Sequence, residues 1–197
     1  MTGRSVGYPG GMPTRQAAAE LTREALLDAG LAVAERHGLG GMSVNRIVTQ
    51  AGVAKGTFYV HFPDRSAFLS ALHGNFHDRV TVAVTAATAG LEPGLGRLRQ
   101  GMTTYLDACL AARGVKALLL EARNDDSVAA EVALRNDAFA QFAAPDLRAM
   151  GWRQPVAAAR LLIAMAAETA LVELVNGRRD STSRRVLWQL VERADLT

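Results

Sequence analysis

Residues 54–62 read Ala-Lys-Gly-Thr-Phe-Tyr-Val-His-Phe and concentrate side chains suited to phosphates and base edges. Lys55 supplies a cation that can reach either, and Tyr59 and His61 supply hydrogen-bonding groups for phosphate oxygens. Gly56 costs a helix about 1 kcal/mol relative to alanine, so a helix that keeps it implies a backbone that something approaches closely. Phe58 and Phe62, four apart, should bury together against Leu26 and Val48, which turns Lys55, Gly56 and Tyr59 toward solvent. Arg65 adds a second cation beside the amide donors that open the next helix.

The other reactive groups do not assemble into a centre. His73 and His77 have the spacing of half a metal site, but no nearby cysteine or carboxylate completes it, so solvated helix residues are expected. Cys109 is the single cysteine, which excludes an internal disulfide framework and fits a reducing, cytoplasmic setting. It has no identifiable histidine partner, and neither a glycine-rich phosphate loop nor a Gly-x-Ser-x-Gly elbow is present. The reading is therefore not an enzyme, with no cofactor and no metal.

The elements that must position these groups follow from apolar period and breakers. Residues 1–13 are glycine-rich without period and read as a flexible tail. A helix runs from Thr14 to His37 and ends at Gly38; Ser43 caps a short helix that Gly52 terminates; the quoted stretch forms a third; Pro63 and Asp64 open a fourth, from Arg65 to about Ala86. Further helices are predicted over Leu98–Ala112, Val115–Arg123, Ser127–Met150, Pro155–Asn176 and Ser181–Ala194, with glycines, Pro145, Pro155 and Asp180 as turn signals. No run has strand period, so the fold class is all-α, with a first helical domain over 14–75 and a second over 76–197. Three short helices with a tight glycine turn before the third are a helix-turn-helix arrangement, whose last helix enters the major groove.

Composition excludes little else. A chain of 197 residues, 49% hydrophobic, can bury a core in one moderate domain or two small ones. Its most apolar stretch, Val156–Val175, contains Arg160, Glu168 and Glu173, which argues against a membrane span. The net charge is only +3, so charge alone says little about nucleic acid.

The run Ser43–Phe62 resembles the DNA-binding segment of the TetR family of transcriptional regulators, through its Ala-Gly-Val, Gly-Thr-aromatic-Tyr and His-Phe elements in order and at the family's spacing. Thr22–Ala29 is similar to that family's first helix, and the resemblance spans about Thr14–Leu72. It implies DNA contacts from Thr22, Ser43, Ala54, Lys55, Gly56, Thr57, Tyr59, His61 and Arg65. Ala54 stands where the family often has serine and Arg65 where it often has lysine, and the family often has an acidic residue near Arg46. The resemblance further implies a homodimer on a palindromic double-stranded operator, and a repressor more often than an activator. It also implies an unidentified small-molecule effector in the second domain.

In that domain the segment Pro155–Asn176 is apolar almost all round, which suggests burial on two sides, one against a second subunit. Leu162, Ala166, Leu187, Trp188 and Val191 are the interface candidates. Met102, Tyr105, Leu106, Cys109, Leu118, Phe139, Phe142, Trp152 and Met165 are the large or adaptable residues for a cavity, with Glu168 and Thr169 as polar contacts; Glu168 could instead pair with an arginine across the dimer. Two other readings stay open: a helical small-molecule protein or enzyme with a vestigial DNA module, and a DNA-bound regulator that answers to a protein partner.

Overall fold

The computed structural model describes residues 14–38, 40–112 and 126–192, with the side chains of 126–130 excepted. Among them are eight helices and no strand: α1 Arg15–His37, α2 Val44–Ala51, α3 Lys55–His61, α4 Arg65–Thr88, α5 Leu95–Ala111, α6 Asp126–Ala149, α7 Pro155–Asn176 and α8 Ser181–Glu192. The expected tail and the expected helix Val115–Arg123, with Leu118, lie outside the described residues.

The helix ends follow the local chemistry. Thr14 and Ser43 side chains accept the backbone N–H groups of Ala17 and Arg46, at 3.3 Å in each case, and Asp64 accepts that of Ala67 at 2.8 Å. Gly52 ends α2 in the left-handed region at φ 68°, where its N–H and that of Val53 turn back to the Thr49 and Val48 carbonyls. That turn aims α3 across α2. Pro145 is corrected from a turn signal to a residue inside α6. The helix is pinned beyond the proline by Asp146, whose buried carboxylate accepts Arg97 Nε at 2.7 Å and Gly94 N at 2.9 Å.

Two apolar cores divide along α4. The first joins Leu26, Ile47, Val48, Phe58, Phe62, Phe68 and Leu72 from α1 to α4. The second starts one turn later at Phe76 and runs through Leu98, Leu106, Leu147, Leu162, Ala166, Leu187 and Val191. Leu31 of α1 touches both. In the second core α6 packs chiefly on α7, and α4 on α5. Since α4 contributes buried residues at both ends, a tilt imposed on one end reaches the other through a single rigid rod.

Candidate nucleic-acid interface

Helix α3 is held by its aromatics. Phe58 is fully buried, with ring centroids 5.2 Å from Phe68 and 5.5 Å from Phe62, and Phe62 meets Phe68 edge-on at 5.0 Å. Arg23 of α1 lies over the Phe62 ring at 5.2 Å, a clamp whose pairing spans residues too far apart in sequence to announce itself. With those rings inward, Lys55, Gly56, Tyr59 and Val60 are exposed on α3, and Thr57 and His61 are half-buried. The Tyr59 ring stands edge-on to Phe58 at 5.4 Å, which steadies its hydroxyl in solvent. A Cβ added at Gly56 would meet nothing within 4 Å, and Gly56 has no positive φ. The fold itself therefore gives no reason for a glycine there.

The remaining candidates sit around this face with other duties as well. Ala54 is the N-cap of α3 and makes no side-chain cap bond. The Ser43 hydroxyl caps α2, and the half-buried Thr22 hydroxyl donates to the Ala18 carbonyl at 2.9 Å. Arg46 donates to the Gly41 carbonyl, so this departure from the family pattern is tied into the α1–α2 turn. Arg65 opens α4 on the surface. As expected, Asp64 caps this helix, and its carboxylate brings negative charge to the terminus beside Arg65.

Residues 26–72 match the family model described as bacterial regulatory proteins, tetR family. That stretch carries the amino-terminal domain of the TetR family. Among solved structures, a transcriptional regulator from Rhodococcus sp. RHA1 is similar with a TM-score of 0.74 at 21% identity, covering 86% of this chain and 93% of that one. A TetR transcription regulator from Haloarcula marismortui is similar with a TM-score of 0.73 at 12% identity, covering 87% and 95%. A TetR transcriptional regulator from Legionella pneumophila is similar at 0.67 and 14%, covering 87% and 95%. No curated protein matches the chain. The chain thus has the fold and the amino-terminal domain of TetR-family transcriptional regulators, and none of its described helices is long and apolar enough to cross a membrane.

In the second apolar core, Met102, Tyr105, Phe139 and Phe142 line a cavity of about 40 Å³, rimmed by Arg97, Asn136 and Asp146. Phe139 and Phe142 also wall a second space of about 210 Å³, between α4 and α6, with Thr81, Thr85 and Arg135. The first would hold a few water molecules, and a ligand pocket usually needs about 300 Å³ or more. The other cavity candidates among the described residues line neither space. Cys109 is buried in the core, its thiol pushed up to about 12 by burial, which makes it an inert apolar filler. Trp152 and Met165 pack against the core from its edge. The Thr169 hydroxyl donates to the Met165 carbonyl at 2.9 Å. Glu168 is exposed.

Three further expectations are corrected. Leu162, Ala166, Leu187 and Val191 are buried in the subunit's own core, and Ala166 lines the small cavity. Half-buried Trp188 packs against that core beneath the Arg99 guanidinium, 5.6 Å from its ring. The large exposed apolar residues on these helices are Leu161, Val175, Val186 and Leu190. His73 and His77 are buried rather than solvated, with their Nε2 atoms 3.1 Å apart and each Nδ1 without a partner. Burial lowers the pKa of both and brings His77 to about 3, with His73 and Arg135 adding to the effect, so the pair is neutral. Among the described residues no third ligand completes a metal group around them. The signal was present: each follows a core residue, Leu72 or Phe76, and so falls inside a widened buried arc.

Sequence reasoning also passed over a buried ion cluster. Glu173 accepts Arg184 Nε and Nη2, both at 2.6 Å, and Arg184 Nη1 reaches Asp107 at 2.6 Å, which also takes Arg179 at 2.7 Å. Glu173 is fully buried. This bidentate bridge ties α5, α7 and α8 together. Its only sequence signal was an acid in an otherwise apolar helix.

Proposed function

We propose that this chain regulates transcription by binding a near-palindromic DNA operator as a homodimer, as a repressor released by a small, largely apolar ligand. The observation that carries the DNA reading is the α3 face. Its two phenylalanines are locked inward, and Lys55, an unobstructed Gly56 and Tyr59 are presented outward together. Gly56 lets the backbone approach the groove, Lys55 meets a base edge or phosphate, and Tyr59, His61 and Arg65 hold phosphates. Thr22, Ser43, Ala54 and Thr57 flank this contact.

The dimer places two such helices about one DNA turn apart, roughly 34 Å. Its interface is the stripe Ala157, Leu161, Ala164 and Val175 on α7 with Val186 and Leu190 on α8, all exposed and at helical spacing. A ligand would enter where Phe139 and Phe142 separate the two cavities, and moving these rings would join about 40 and about 210 Å³. The displaced α6 would tilt α4 and spoil the spacing of the reading helices. Selection from randomised duplexes followed by fluorescence anisotropy tests the proposal: an enriched palindrome, and affinity that falls with salt, are expected. Retention of no DNA at low salt would overturn it.

The small volume of the first cavity favours one alternative, a regulator whose interior is filled by its own side chains and which answers to a protein partner. Tight effector binding with reciprocal loss of operator affinity would exclude that reading.

A further inference from the structure

The large apolar residue most exposed to solvent among those described is on α3. Val60 is 80% exposed, beside Tyr59 and one helical turn from Gly56. In a seven-residue helix, Gly56 and Val60 share the side opposite the buried Phe58, and Tyr59 lies on the flank between that side and Phe58. Gly56 carries no side chain and a Cβ there would meet nothing within 4 Å, so Val60 stands beside an open step rather than under a neighbour. Valine in a helix has one strongly preferred rotamer, so its two methyl groups are presented in a fixed direction. The same helix is anchored by Phe58 and Phe62, which fixes that direction relative to the domain.

Only one apolar group is offered to such a side chain in the major groove, the C5-methyl of thymine; the other base edges present hydrogen-bonding atoms that valine cannot answer. Resting on the DNA-binding reading above, we infer that Val60 is a specificity-determining residue that reads a thymine methyl group in each half-site. Lys55 and Tyr59 position the helix, and Val60 excludes cytosine at one step by the lack of that methyl. The close approach at Gly56 brings the valine into contact and strips water from both methyl surfaces.

The chemistry allows an atom-level test. The full chain is used to select its site from randomised duplexes, and each thymine of that site is then replaced by deoxyuridine, which removes the methyl and leaves the pairing edge unchanged. At one thymine per half-site the wild type should lose about fourfold in affinity, corresponding to about 0.8 kcal/mol for a buried methyl group. Val60→Ala should bind the thymine and deoxyuridine sites alike at that position, and 5-methylcytosine there should restore part of the wild-type affinity that cytosine loses. Because Val60 is surface-exposed, Val60→Ala keeps the fold, which thermal unfolding checks. Two results overturn the inference while leaving DNA binding intact: no thymine sensitive to methyl removal, or a penalty that persists unchanged in Val60→Ala. Failure to enrich any sequence overturns the DNA-binding reading and this inference with it.

Discussion

Replacing Gly56 by alanine separates what this residue does for the fold from what it does for recognition. In the free protein the added methyl group meets nothing within 4 Å, and the backbone at Gly56 has no positive φ to strain. Nothing in the chain opposes the substitution, so helix propensity and the entropy of the unfolded chain act alone. Alanine is favoured over glycine by about 0.5–1 kcal/mol in a helix, with the lower figure apt at the second position of α3. For a chain of this size that corresponds to a rise in Tm of about 1–4 °C. On DNA the sign reverses. A methyl group between backbone and groove forces the helix outward and weakens every contact behind it; a loss of tenfold or more is expected, at least about 1.4 kcal/mol. Calorimetry gives the first quantity, and anisotropy with a selected duplex at fixed salt gives the second. Lys55→Ala is the control, with lower affinity and unchanged Tm. An alanine variant that is more stable and binds equally well would refute close approach at Gly56. A fall in Tm would refute the open space itself.

Other outcomes follow from the second domain. Glu173→Gln leaves the Arg184 guanidinium buried with half its partner, and a loss of about 3–5 kcal/mol in urea unfolding is expected, whereas substitution of the exposed Glu168 should cost little. The neutral His73–His77 pair should make the protein acid-sensitive. With His77 at about 3 in the fold against an ordinary 6.5, the unfolded chain takes the proton first as pH falls below 6.5, so stability drops. From pH 7 to pH 5 that is about 2 kcal/mol for His77, and His77→Phe should flatten the change; an unaltered pH profile would show that another group is responsible. The pair Leu161→Asp and Leu190→Asp should give a folded monomer in sedimentation with lost operator affinity, whereas Leu187→Asp should unfold the chain. A folded, dimeric double variant would move the interface elsewhere.

Local signals in the sequence determined the helix-turn-helix. Ser43 as a cap, Gly52 as a left-handed turn, and Phe58 and Phe62 at a spacing of four are short-range features whose physics is settled within a few residues, and their outward counterparts Lys55, Gly56 and Tyr59 followed from them. The all-α class was legible for the same reason, since helical period and breakers act within one element. Tertiary structure alone decided which face of each later helix is inside. Helix α7 is apolar all round, so its sequence does not distinguish Leu162, in the core, from Leu161, at 69% exposure; on α8 the same ambiguity hid Leu187 behind Leu190. Glu173 and Arg184 meet across a turn between helices, which no pattern within either helix announces. The cavities depend on how Phe139 and Phe142 fill the gap between α4, α5 and α6, a matter of a few ångströms. Residue type states what a side chain can do, and only the packing of distant segments decides whether it faces water, a partner or its own core.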